Sequence, residues 1–251
     1  MKKWKKDIFI RICRRCGVYR NIVWHASTEL EALDIRRTLG PLASDIRVAL
    51  DVSLPPQRTE GGISFLNVDR LPLKICFISR ISRKKNLHYA LQVLNRVTAN
   101  VVFNVYGPCE DEVYMAECAS MSVGMPPNVR VNYCGPLEYS LVSEMLASHH
   151  LFFFPTLGEN FGHVIAESLA AGTPVLVSDQ TPWRNLNQYG AGWDFSLADP
   201  SVFSDAIERV SGMRAADYLA MRRCAETYTL GLGVDRARDD MLICLFETMA
   251  A

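Results

Sequence analysis

The sequence predicts an α/β fold with a doubly wound parallel sheet, preceded by a short partial α/β segment, and three observations carry that prediction. From Leu73 onward, short apolar runs alternate with stretches whose apolar residues recur at helical spacing, the order that makes successive strands parallel. One run, from His150 to Pro155, reads as a buried strand, and Val175 to Val177 reads as the next short one. A polar stretch containing proline and glycine, Ser53 to Gly62, separates this part from what precedes it and is the best linker candidate. With 251 residues and 49% hydrophobic composition the chain can bury a substantial core, in one large or two small domains. The division expected is 1–62, 63–230 and a last helix over 231–251.

Lysine plus arginine equals aspartate plus glutamate at 27 each, so the balance gives no reason to expect a nucleic-acid partner. The charge is unevenly placed. Residues 1–16 carry Lys2, Lys3, Lys5, Lys6, Arg11, Arg14 and Arg15 against Asp7, with Trp4, Ile8, Phe9, Ile10 and Ile12 interspersed. That pattern suits a basic amphipathic helix and makes 1–16 a candidate for peripheral membrane contact, with a solvated helix face as the alternative. Arg11 breaks the apolar stretch and no small-residue cleavage site follows, so the segment does not read as a secretory signal. No later run approaches the length of a membrane span, and the expected location is cytoplasmic, with the inner face of the membrane as the peripheral option. Eight cysteines lack framework spacing, which suits a reducing compartment. Cys13 and Cys16 form a single C-x-x-C without a second pair, so zinc is not expected there, and most cysteines are assigned to the core.

Taken in order, Asn21 to Ser27 reads as a strand ending in a Ser27 or Thr28 helix cap, with Leu30, Leu33, Ile35 and Leu39 along the helix that follows. His25, at the strand end, is either catalytic or a partly buried histidine with its hydrogen bonds satisfied. Asp45 to Leu50 is a short strand. After the linker, Leu71 to Ser79 is a buried strand that runs into the basic stretch Arg80 to Asn86, then a helix with Leu87, Ala90, Leu91 and Leu94 inward. Cations at the carboxyl end of a strand in an α/β sheet lie where ligands bind, although a solvated basic loop has the same composition. Val101 to Gly107 and Val129 to Gly135 are strands that each end in Gly-Pro, and Glu138 to Ser148 is a helix. Beyond Asp179, Thr181 to Leu186 reads as a turn into a short helix, with Trp183 packing, and Gly192 to Phe195 as a last strand. Val202, Phe203, Ala206, Ile207 and Val210 mark one closing helix; Met241, Leu242, Leu245 and Phe246 mark another. No G-x-G-x-x-G follows a strand, which weighs against a dinucleotide oxidoreductase.

The stretch Thr156 to Asp179, T-L-G-E-N-F-G-H-V-I-A-E-S-L-A-A-G-T-P-V-L-V-S-D, is the richest in chemistry. Gly158 and Gly162 permit a tight turn, Val164, Ile165, Ser168 and Leu169 define a helix starting near Phe161, and Gly172 stops it before Pro174 opens the next strand. Glu159 lies in the loop and Glu167 on the helix, about 12 Å apart if eight helical steps separate them. A helix N-terminus between two acids is an anion site flanked by hydroxyl acceptors, which fits a diphosphate with sugars at both ends, as in a nucleotide sugar. Acids in a first helical turn are ordinary, so Glu159 alone says little. Glu167 sits between V-I-A and S-L-A-A, where a charge is either paired or functional.

G-E-N-F-G-H-V-I-A-E-S-L-A-A-G-T-P-V-L resembles the paired-glutamate signature of the retaining glycosyltransferases of family 4, which have the GT-B fold, and the resemblance runs over roughly residues 20–230. It implies that 63–230 is the Rossmann-like donor-binding C-terminal domain and that 1–62, which includes the H-A-S of His25 to Ser27, is a remnant of the N-terminal, acceptor-side domain. It also implies roles: Glu167 holds the ribose hydroxyls and Glu159 the donor sugar. The Asn160, Phe161 and Gly162 backbone, with Arg80 and Lys85, holds the diphosphate and stabilises its departure. The family's arginine and its lysine five residues on match Arg80 and Lys85, while its usual glycines are replaced here by Ser79 and Asn86. The loop after the second Gly-Pro would help hold the base. By the same resemblance no metal and no cofactor is required, and the donor is a UDP- or GDP-linked sugar. The acceptor is a glycan or glycolipid, as in cell-envelope polysaccharide synthesis. A partner chain or dimer would cover the truncated segment, and the rival expectation is a non-catalytic nucleotide-sugar-binding module.

Overall fold

The computed structural model describes residues 3–19, 22–43, 45–48 and 72–231; the linker stretch and the helix marked by Met241 to Phe246 lie outside them. The described residues fall into two compact units, one within Met1–Val52 and the other within Ser53–Gly233.

In the first unit, helix α1 (Lys3–Arg15) precedes strand β1 (Val23–Ala26), helix α2 (Glu29–Leu39) and strand β2 (Asp45–Val48). β1 and β2 pair in parallel from Val23 opposite Asp45 to Ala26 opposite Val48, a two-stranded βαβ unit. Thr28 caps α2: its hydroxyl accepts from the Glu31 amide at 3.2 Å, and the Glu31 carboxylate accepts from the Ser27 amide at 2.8 Å. Two sequence expectations are corrected here. Leu33 is exposed and Ala32 buried, because the inward stripe of α2 runs through Ala32 and Leu39, seven residues or two turns apart. His25 is exposed, since the alternation of β1 buries Ala26 and turns its neighbour outward.

The second unit is a six-stranded, all-parallel sheet. Its elements are β3 (Leu73–Ile78), α3 (Leu87–Leu94), β4 (Val101–Tyr106), α4 (Glu112–Val123), β5 (Val129–Gly135), α5 (Val142–Ala147), β6 (Leu151–Phe154), α6 (His163–Ala170), β7 (Val175–Ser178), β8 (Gly192–Phe195), α7 (Pro200–Ser211) and α8 (Ala215–Gly231). The strand order β5-β4-β3-β6-β7-β8 starts at β3 and winds outward in both directions, so the order reverses between β3 and β6. Helices α3, α4 and α7 pack together, as do α5, α6 and α8, the two helical layers of a doubly wound sheet. β6 and β7 are buried at every position, as strands covered on both faces must be.

Side chains set the ends of these elements. Asp111 caps α4, accepting from the Tyr114 amide at 3.0 Å, and Asp199 caps α7, whose first residue is Pro200. The helix expected within Thr181 to Leu186 is absent: Asn185 takes φ +59°, and the Asp194 carboxylate, from β8, accepts from the Asn185 and Leu186 amides at 3.2 and 2.9 Å. Those bonds replace the helical ones with a string of turns. The cysteines divide more evenly than expected. Of the seven described, Cys13, Cys76 and Cys118 are buried, Cys224 is half-buried, and Cys16, Cys109 and Cys134 are exposed. Among the described residues no helix is long and apolar enough to cross a membrane.

Candidate functional site

The candidate residues gather at the carboxyl ends of β3 and β6, the two strands flanking the reversal. Pairing between them covers only Ile75 with Leu151 and Cys76 with Phe152, and then lapses before either strand ends. Such a crevice is where open α/β sheets bind ligands. Phe77 and Phe154 meet across it edge to face, with ring centroids 5.6 Å apart.

β3 leads into Ser79 and Arg80, and this segment is held against the turn after β4 by bonds from the Ser79 amide to the Tyr106 carbonyl (3.0 Å) and from the Ile81 amide to the Pro108 carbonyl (2.9 Å). The approach is close enough to demand glycine: at Gly107, with φ +134°, a Cβ would stand 1.9 Å from the Ser79 carbonyl oxygen. Arg80 emerges from this junction exposed and pairs with Glu110 at 2.9 Å.

Lys85 ends a 3-10 turn, Arg83–Lys85, that Asn86 closes in the left-handed conformation, φ 64° and ψ 36°. Asparagine tolerates that region better than other residues with a Cβ. The buried Asn86 amide also donates to the Pro155 carbonyl at 2.8 Å, tying the Lys85 turn to the end of β6. The sequence departure from glycine at this position therefore preserves the backbone shape. Ser79 has no positive φ, so glycine is not needed there for conformation.

Glu159 follows β6. Its amide donates to the Gln180 carbonyl at 3.0 Å, and its carboxylate forms an ion pair with Lys85, with both side chains only 12–13% exposed. The Thr156 hydroxyl reaches the same carboxylate oxygen at 3.2 Å. The resemblance assigns Lys85 to the diphosphate and Glu159 to the donor sugar joined to it. The structure brings them into direct contact, and Lys85 also lies 5.5 Å from the Phe154 ring centroid.

α6 begins two residues later than expected, at His163, with Gly162 as its N-cap at φ 83° and no side-chain cap. The separation of about 12 Å between the two glutamates assumed helix throughout, whereas only His163 to Glu167 is helical, about 6 Å of rise. Phe161 is buried against Trp183, whose indole N–H donates to the Phe161 carbonyl at 2.5 Å, so this pair anchors the loop rather than facing outward. Glu167 is buried, and burial pushes its carboxyl up, opposed by a hydrogen bond from Tyr139 and by His163. Tyr139 is 70% exposed, and the adjacent Glu167 charge raises its phenol. No motif marks Tyr139 in the sequence; it opens the 3-10 turn Tyr139–Leu141 that precedes α5. A groove of about 580 Å³ lined by Arg96, Met121 and Met125 sits at the C-terminal ends of α3 and α4, away from the carboxyl ends of the strands.

The profile of the family described as glycosyl transferases group 1 matches residues 65–223, most of the chain and all of the residues just described. The chain belongs to that family. Among solved structures, this member of the group 1 family is similar to Anabaena Alr3699/HepE in complex with UDP-glucose, with TM-score 0.76 at 14% identity over 98% of this chain and 68% of that one. It is also similar to sucrose-phosphate synthase from Thermosynechococcus elongatus, with TM-score 0.68 at 14% identity over 90% and 58%. A third is a UDP-forming α,α-trehalose-phosphate synthase from Burkholderia vietnamiensis, with TM-score 0.66 at 14% identity over 90% and 62%. At such identities the likeness establishes the fold, that of GT-B glycosyltransferases, and the chain spans less than two thirds of the last two proteins. No curated protein matches the chain in sequence.

Proposed function

We propose that the chain binds the donor of a retaining, family 4 glycosyltransferase reaction, in which a sugar passes from a UDP- or GDP-linked donor to a glycan or glycolipid acceptor of the cell envelope. The observation that carries this reading is the meeting of Lys85 with Glu159, in the chain leading to the uncapped start of α6, at the crevice where the strand order reverses, with Arg80 two residues beyond the end of β3. The amino end of α6 and two cations suit a diphosphate; carboxylates on either side suit hydroxyls. In this reading Glu167 accepts from the ribose, with Tyr139 displaced from it or sharing it, and Glu159 accepts from the donor sugar. A diphosphate reaching Lys85 takes over part of the pairing that Glu159 supplies in the structure. Preorganised positive charge then stabilises the leaving diphosphate, and the charge already present makes a divalent metal unnecessary for binding. Cytoplasmic placement belongs to the same proposal.

A second reading, a binding subunit that takes its acceptor domain from a partner chain, draws on the first unit, where the described strands number two, too few for an independently stable sheet. Calorimetry with UDP, GDP and their hexose conjugates, in chelator, tests the first reading. Binding is expected without metal and about tenfold weaker or more in Arg80→Ala. Binding that vanishes in chelator and returns with magnesium or manganese would overturn it. A radiolabelled-donor assay on the chain alone and with candidate partner proteins separates enzyme from subunit.

A further inference from the structure

Helix α1 holds an apolar face open to solvent. Trp4, Ile8, Phe9 and Ile12 are 56%, 46%, 60% and 57% exposed, although α1 is ordered as a helix from Lys3 to Arg15. At about 100° per residue these four fall within an arc of about 140°. Cys13, which is buried, and Ile10, half-buried, lie outside that arc. Single exposed apolar residues are ordinary, but four on one side of one helix form a patch that wants a partner.

The charges around the patch say which partner. Lys5 and Arg15 fall within the arc and Arg11 at its edge, all three exposed, with Lys5 Nζ 5.8 Å from the Trp4 ring centroid. Residues 1–16 hold seven cations and one acid in a chain whose total charge is zero, so basic charge is concentrated in the segment that carries this face. A buried protein core would reject those cations, whereas a lipid interface accepts them. Apolar rings and branched chains enter the acyl boundary, and long basic side chains reach back to the headgroups. At 13 residues the helix is about 20 Å long, which suits lying in the interface plane rather than crossing it.

We propose that α1 docks the protein on an anionic lipid surface, with Trp4, Ile8, Phe9 and Ile12 inserted and Lys5, Arg11 and Arg15 paired with headgroups. Nothing in this depends on the donor site, and the two stand or fall separately.

The test is sedimentation of the whole chain with vesicles of phosphatidylcholine alone and of phosphatidylcholine mixed with phosphatidylglycerol. The protein is expected to pellet with the anionic vesicles only and to be released by salt. Because the altered side chains are exposed, Ile8→Asp with Ile12→Asp, and separately Lys5→Glu with Arg11→Glu, are expected to keep the wild-type circular dichroism. Each pair is expected to lower partitioning by about tenfold or more. A blue shift of tryptophan emission on binding, lost in Trp4→Phe, places the helix in the bilayer. Equal affinity for both vesicle types, or wild-type binding by both double variants, overturns the proposal. So does a concentration-dependent dimer without lipid that the Ile8, Ile12 variant abolishes, which assigns the face to a second copy of the chain.

Discussion

Lys85→Met tests whether the Lys85–Glu159 pair is a binding device or a structural one. Both side chains are nearly covered, so the substitution leaves the Glu159 carboxylate with the Thr156 hydroxyl as its nearest donor. Breaking a pair this enclosed costs up to about 3–5 kcal/mol of stability, because the remaining charge is left without its counterion. Loss of a charge-assisted contact to a diphosphate costs about 1.5–3 kcal/mol of binding, roughly tenfold to a hundredfold in affinity. One variant mixes the two effects, so Glu159→Gln and the double variant complete a cycle. Glu159→Gln is expected to keep nucleoside diphosphate affinity, since it releases Lys85 from its carboxylate, and to weaken only the intact nucleotide sugar. The double variant is expected to regain most of the lost stability and none of the lost affinity. Urea unfolding and titration calorimetry with UDP and GDP give both readings on each protein. A double variant that binds nucleoside diphosphate as tightly as wild type would show that Lys85 serves the fold alone.

Glu167→Gln is expected to weaken nucleoside diphosphate and nucleotide sugar alike, by about tenfold, because the ribose is common to both; calorimetry with the two ligands checks this. Gly107→Ala forces a Cβ to 1.9 Å from the Ser79 carbonyl at a positive φ, and is expected to cost about 3 kcal/mol in urea unfolding and to disturb Arg80 at the adjoining position. Stability should also fall with acid through His150. Burial, helped by Lys74 and His149, lowers its pKa from 6.5 to about 4, while its Nδ1 accepts from the Lys74 amide at 2.8 Å. Below pH 6.5 the unfolded chain takes a proton that the folded chain refuses, so stability is lost as pH falls toward 4 and the loss is then constant. It amounts to about 3 kcal/mol, and His150→Gln should flatten that part of the urea-midpoint profile.

The parts of this fold legible in the sequence are those that neighbouring residues determine. β6 and β7 announce themselves because strands covered on both faces are mostly apolar, here at every position but Ser178 at the end of β7, and α6 is bracketed by Gly162 and Gly172, which hold positive φ at its two ends. What escaped was set by residues far along the chain. The turns at Asn185 to Gly190 follow from the Asp194 carboxylate on β8, and Leu33 faces outward because the stripe of α2 follows Ala32. The site shows the same division. Arg80, Lys85, Glu159 and Glu167 stand out as candidates by motif, spacing and family resemblance, but the contact of Lys85 with Glu159, 74 residues apart, exists only because β3 and β6 are neighbours in the sheet. Asn86 shows how a departure from a family pattern ought to be weighed. What the position requires is a left-handed residue, and asparagine meets that requirement while adding a bond to Pro155 that glycine lacks. That bond fixes the turn carrying Lys85 to the strand that leads to Glu159, so the substitution that weakens the sequence match tightens the geometry on which the site depends.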